Sequence, residues 1–205
     1  MIVLMSGLVS LRAGNSEEIT IPFKLVNGLI ILEAEVDGIQ GAYLLDTGAD
    51  AILLDGQPES SGQTIATPSG EVKFESRQLT RLKIGSFIQH DLKAKVICLA
   101  SLKEQLGIDL HGIIGGAYFM PNTLIMDFAN SFITISPEVT NQETIIDLTE
   151  IPFKLVNQIP VVEVKIDGKT YDFAMDSGAS AHFIETSLLE SIKSMQSLNE
   201  TSKVL

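Results

Sequence analysis

The chain of 205 residues has no tryptophan, one cysteine and three histidines. A single cysteine, Cys98, excludes an intrachain disulfide and any zinc site built on cysteine pairs. It lies between Ile97 and Leu99, and that apolar setting predicts a buried packing residue. His90, His111 and His182 show no metal-ligand spacing, so no histidine-based metal site is expected. Positive charge is also scarce: 14 Lys and Arg stand against 26 Asp and Glu, a formal net charge of −12. That balance argues against nucleic acid or an anionic membrane as main partner. No apolar run reaches the roughly 20 residues needed to span a bilayer.

What the chain does contain is ordinary for a folded domain: 45% hydrophobic and 20% charged residues. Residues 1–16 are an apolar stretch followed by small residues and leave two readings open. One is the back half of an export signal, although a positively charged start is missing, and it implies a periplasmic or extracellular protein. The other is a short N-terminal strand. From Glu18 onward period-two alternation predicts strands: Ile19 to Leu25, Leu29 to Val36, a turn at Asp37-Gly38, a return strand Ile39 to Leu45, and Ile52 to Leu54. The stretch Gln57 to Gly70 is rich in Ser, Gly, Pro, Gln and Thr and reads as an exposed loop or hairpin tip. Strand then resumes around Val72 to Ile84 and Leu92 to Leu99. A short helix over Ser101 to Leu106 is expected to start from a Ser cap and stop at Gly107. Ile113-Ile114 running into Gly115-Gly116 suggests a buried strand that turns into a helix start. A last hairpin is expected around Asn130-Ser131.

At Ile151 the chain begins again. Ile21-Pro22-Phe23-Lys24-Leu25-Val26-Asn27 returns letter for letter as residues 151–157, an offset of 151 − 21 = 130. The same offset maps Asp37-Gly38 onto Asp167-Gly168 and Asp46 onto Asp176. Of the 35 positions from Ile21 to Asp55, 14 are identical to their counterparts, where composition alone gives about two or three. The second copy has no counterpart of the Gln57–Gly70 stretch, of Ile113-Ile114-Gly115 or of the last hairpin. Its tail carries Leu188, Leu189, Ile192 and Met195 at helical spacing. The expected organisation is therefore an apolar segment at 1–16, a complete lobe at 17–137, a linker at 138–148 and a partial second lobe at 149–205.

The repeat puts one aspartate in each copy at the end of an apolar strand, before a hydroxyl residue, a glycine and an alanine: Asp46-Thr47-Gly48-Ala49 and Asp176-Ser177-Gly178-Ala179. A lone Asp-Thr-Gly is an ordinary turn. Two in matching places suggest carboxylates that meet across a pseudo-twofold axis. Adjacent carboxylates cannot both ionise cheaply, so such a pair keeps one proton, the arrangement for activating water against a carbonyl. Gly48 and Gly178 allow backbone N–H groups to approach, and Thr47 and Ser177 offer hydroxyls to brace the two turns. An EF-hand-like metal site is disfavoured because the alternating acidic ligands are missing.

At these residues the chain resembles the retropepsin-like aspartyl protease superfamily, through the two Asp-Thr/Ser-Gly-Ala motifs, Ile113-Ile114-Gly115 and Met126-Asp127-Phe128. The handling of a shared proton by paired aspartates is the known device of aspartic proteases. The resemblance implies a mainly β fold, with closed, barrel-like lobes carrying one or two short helices. It implies Asp46 and Asp176 as a catalytic dyad, Thr47 and Ser177 as cross-bracing hydroxyls, and Thr67, Pro68, Ser69 and Gly70 as a flap over a peptide or protein substrate, without cofactor. Two arrangements stay open: a dyad within a longer two-lobed chain of which this is a fragment, poorly active alone, or a homodimer pairing Asp46 with Asp46 of a partner. The rival function is a peptide-binding module of the same fold that does not cut. His182 and His111 are given no catalytic part.

Overall fold

The computed structural model describes residues 2–5, 18–59, 62–67, 70–137, 151–181 and 183–189. The fold is mainly β. The strands are β1 (Ile2–Met5), β2 (Ile19–Val26), β3 (Leu29–Val36), β4 (Ile39–Asp46), β5 (Ile52–Asp55), β6 (Gln63–Thr67), β7 (Gly70–Ile84), β8 (Phe87–Ile97), β9 (Leu110–Gly115), β10 (Thr123–Asp127), β11 (Phe132–Ser136), β12 (Phe153–Val156), β13 (Ile159–Ile166) and β14 (Lys169–Ala174). Two short helices, α1 (Ala100–Leu106) and α2 (Thr186–Leu189), and a 3₁₀ turn at Gly116–Phe119 complete the described elements.

Eleven strands form one sheet, in the order β1-β10-β11-β2-β3-β4-β9-β5-β8-β7-β6. Two further register pairs, Glu35↔Lys83 and Val36↔Leu82, join β3 to β7 and close the ring β3-β4-β9-β5-β8-β7. The main buried cluster includes Leu32, Ala34, Tyr43, Leu45, Ile52, Leu54, Leu79, Leu82, Ile84, Ala94 and Ile114 from these strands. A second cluster on the other face of β3 and β4 contains Leu29, Ile31 and Leu44 with Leu99 and Leu106 of the α1 region. Burial on both faces is why Leu29-Ile30-Ile31-Leu32 runs without alternation.

Several sequence expectations need correction. Cys98 is exposed, not buried. It follows the last residue of β8, where the period of two turns Ile97 and Leu99 inward and Cys98 outward. α1 starts one residue earlier than expected, after Leu99, with no side-chain cap. Gly107 does end it, in the left-handed conformation, donating its N–H to the Lys103 carbonyl. The polar stretch before Gly70 takes the hairpin alternative of the two that its composition leaves open: residues 63–67 form β6, paired antiparallel with β7 from Gln63↔Phe74 to Thr67↔Gly70. β1, drawn from the apolar N-terminal segment, runs parallel to β10. The 138–148 linker, His182, and Ile192 and Met195 lie outside the described residues.

The second three-stranded sheet, β12-β13-β14, repeats β2-β3-β4 in its turns as well as in its letters. Asn27 and Asn157 both have positive φ, as do Asp37 and Asp167 and the glycines that follow the two aspartates.

Candidate active site

Each acidic motif follows a strand that its neighbours hold in place. β4 runs parallel to β9, so Leu45 lies opposite Ile114 and Asp46 opposite Gly115. β9 is also antiparallel to β5, with Ile52 opposite Ile114. The turn after Asp46 is thus wrapped against β9. A Cβ on Gly115 would fall 2.5 Å from the Ala49 carbonyl oxygen and 2.7 Å from that of Ala51. Only glycine lets the strand pass this closely.

The two motifs meet within one chain. A Cβ on Gly48 would lie 2.6 Å from Asp176 Cγ, and one on Gly178 would collide with the Asp46 carboxyl group. Each turn therefore faces the other's carboxylate, and each carboxylate is anchored by its own turn. Gly48 N–H donates to Asp46 Oδ1 at 2.7 Å, and Gly178 N–H donates to Asp176 Oδ1 at 2.7 Å. Ala49 N–H adds a 3.3 Å bond to the Asp46 carbonyl.

The hydroxyls cross between the copies. Thr47 Oγ1 donates to the Met175 carbonyl at 2.8 Å and accepts from Ser177 N–H at 2.9 Å. Ser177 Oγ donates to the Leu45 carbonyl at 2.9 Å and accepts from Thr47 N–H at 3.0 Å. The four bonds are reciprocal under the offset of 130, since Leu45 corresponds to Met175 and Thr47 to Ser177. Sequence reasoning found the hydroxyls but not their acceptors. Those acceptors are main-chain carbonyls one residue before each aspartate, which carry no side-chain signature.

The pair is unequal in its surroundings. Asp46 is half-buried between fully buried Leu45 and Thr47, whereas Asp176 is exposed. Burial raises the Asp46 carboxyl to a pKa of about 7. The Asp176 charge and a hydrogen bond between the two side chains add to that rise, while the Gly48 and Ala49 N–H groups oppose it. At and below neutrality this pair can hold a proton on one member, ready to donate, beside a carboxylate able to accept one.

Of the residues assigned to a flap, Thr67 and Gly70 are the last pair of the β6–β7 hairpin; Pro68 and Ser69 lie outside the described residues. His111 is half-buried, with Nδ1 3.1 Å from the Asp109 carbonyl and its ring against Gly41 and Tyr43, away from the dyad's hydrogen bonds. Among the described residues no group of three or more His, Cys, Asp or Glu side chains is placed to hold a metal, and no helix is long and apolar enough to cross a membrane.

No family model matches the sequence, and no curated protein matches it. Among solved structures, the chain is similar to the crystal structure of a retropepsin-like aspartic protease from Rickettsia conorii, at 20% identity and a TM-score of 0.42, over 60% of this chain and 92% of that one.

Proposed function

We propose that this chain is an aspartic-type endopeptidase of the retropepsin-like kind, which hydrolyses peptide bonds with a water held between Asp46 and Asp176. The observation that carries the reading is the reciprocal brace: four hydrogen bonds, exchanged between motifs 130 residues apart, hold two carboxyl groups face to face. A purely structural turn has no need of a second acid opposite it. Bringing acids together costs stability, and such sites recur where proton transfer is the task.

The chemistry follows from the proton inventory. One carboxylate takes a proton from water as the water oxygen bonds to the peptide carbonyl carbon. The protonated partner gives its proton to the carbonyl oxygen, so a neutral tetrahedral diol forms. The newly protonated acid then gives its proton to the peptide nitrogen while the other carboxylate takes one from a diol hydroxyl, so the C–N bond breaks to acid and amine and the pair regains its single proton. The more buried Asp46 suits the donor role and the exposed Asp176 the acceptor role. The β6–β7 hairpin, ending between Thr67 and Gly70, is the element we assign to covering a bound peptide.

The test is cleavage of an unfolded protein between pH 4 and 7 by the wild-type chain and by the Asp46→Asn and Asp176→Asn variants. Cleavage that falls at least about a hundredfold in both variants is expected, since neither can complete the proton exchange. Wild-type protein that binds peptide without cutting it, with binding retained in Asp46→Asn, would instead establish a non-cutting peptide-binding module.

A further inference from the structure

We infer that Gly116 is a positioning residue of the Asp46–Asp176 pair, acting through Thr47. The inference rests on the dyad reading above for its catalytic consequence, but not for its geometry.

Gly116 opens the 3₁₀ turn that follows β9. Its φ does not lie in the left-handed region, since positive φ among the described glycines is confined to Gly28, Gly38, Gly70, Gly85, Gly107 and Gly168. The backbone there suits any residue, and a helical turn favours alanine over glycine. What glycine supplies at this position is space. A Cβ on Gly116 would sit 3.0 Å from Thr47 Cα and 3.4 Å from both Thr47 Cβ and Cγ2. This differs from Gly115, whose Cβ would strike two main-chain carbonyls of the turn after Asp46. At Gly116 the atoms in the way belong to one residue, which would have to yield by a few tenths of an ångström.

Thr47 has little room to yield without consequence. It is 3% exposed and takes part in three of the four bonds that cross between the motifs. Pushing it away from the 3₁₀ turn shifts the hydroxyl that holds Met175 and Ser177, the two neighbours of Asp176. The separation of the two carboxyl groups is therefore set in part by an absent methyl group, one whose nearest atoms would belong to Thr47 and not to either acid.

The experiment compares wild type, Gly116→Ala, Thr47→Ser and the double variant. Two readouts are used: cleavage of an unfolded protein, and the pH titration of Asp side-chain carbons by ¹³C NMR. For Gly116→Ala the expected result is a folded protein whose kcat falls about tenfold or more with KM little changed, because no substrate contact is lost. The upper titration of the acid pair is expected to move down by about half a pH unit or more, because like charges interact less when they separate. Thr47→Ser keeps the hydroxyl and leaves the tightest contact, Cα at 3.0 Å, in place, but it removes Cγ2 and so frees space into which residue 47 can yield. The Gly116→Ala change is therefore expected to cost less in the Thr47→Ser background than in wild type. A folded Gly116→Ala protein with an unchanged titration overturns the inference. So does a Gly116→Ala loss of equal size in both backgrounds, and so does a Gly116→Ala chain that fails to fold, which would make the glycine a requirement of the fold alone. Should the wild-type chain not cut at all, the function fails while the titration still decides the positioning.

Discussion

The strand trios β2-β3-β4 and β12-β13-β14 share a seven-residue stretch, at 21–27 and 151–157, and make their turns at the same places, yet their surroundings differ. Leu25 and Leu155 are equally exposed, at 47% and 48%, but Ile21 is 3% exposed and Ile151 64%. The difference arises from neighbours. In the first sheet β11 pairs with β2, β7 with β3 and β9 with β4; among the described residues the second sheet has three strands. Strand, turn and register are thus local properties of these sequences, whereas burial is conferred by what the rest of the chain lays alongside.

The largest test of that distinction uses a matched pair. Ile21→Ala removes a buried side chain and is expected to cost about 2–5 kcal/mol in urea unfolding, while Ile151→Ala, the same change at the same repeat position, should cost less than about 0.5 kcal/mol. Equal losses would show that the second sheet is as enclosed as the first.

The two aspartates extend the comparison to charge. Folding raises the Asp46 pKa from 3.8 to about 7, so the folded chain holds a proton that the unfolded chain has released. The stabilisation tied to that proton is present below about pH 4 and is lost as pH rises through about 7. Asp46→Asn cannot ionise. Its stability relative to wild type should be near zero at pH 4 and favourable by a few kcal/mol at pH 8, as read from unfolding curves at both values. Parallel pH profiles would contradict the burial of Asp46 against Asp176.

The brace sharpens the contrast further. Ser177→Ala strips partners from the Leu45 carbonyl and Thr47 N–H on the buried side, whereas Thr47→Val strips them from the Met175 carbonyl and Ser177 N–H on the more open side. Each should cost about 1–3 kcal/mol, with Ser177→Ala the larger because water reaches its orphaned groups less easily. The smallest effect lies in the first turn of each sheet. Gly28 has φ +82° and its counterpart Gln158 has φ +67°, a conformation unfavourable for glutamine. Gln158→Gly should therefore stabilise the chain by about 0.5–1 kcal/mol in thermal unfolding.

Much of this was legible in the sequence because the signals were short-range. Asp37-Gly38, the Asn130-Ser131 hairpin and the Gly107 stop are consequences of φ preferences at single residues. The two Asp-hydroxyl-Gly motifs could be matched because the repeat carries them at one offset. Three kinds of feature were not legible. Partners distant in sequence, such as β4 beside β9 or the seam between β3 and β7, leave no local mark. Main-chain acceptors such as Leu45 and Met175 have no residue-type signature. Cys98 departs from its apolar neighbours because strand alternation turns one residue of the three outward. β6 was hidden by polar composition, since a hairpin ribbon satisfies its backbone without needing an apolar face.

The exchange of hydrogen bonds between Thr47 and Ser177 has a kinetic consequence. Neither amide can reach solvent unless the opposite hydroxyl lets go, and each hydroxyl is itself tethered to a carbonyl beyond it. Deuterium should therefore enter both positions at one common rate, through a single concerted opening, even though Thr47 is buried and Ser177 only half-buried.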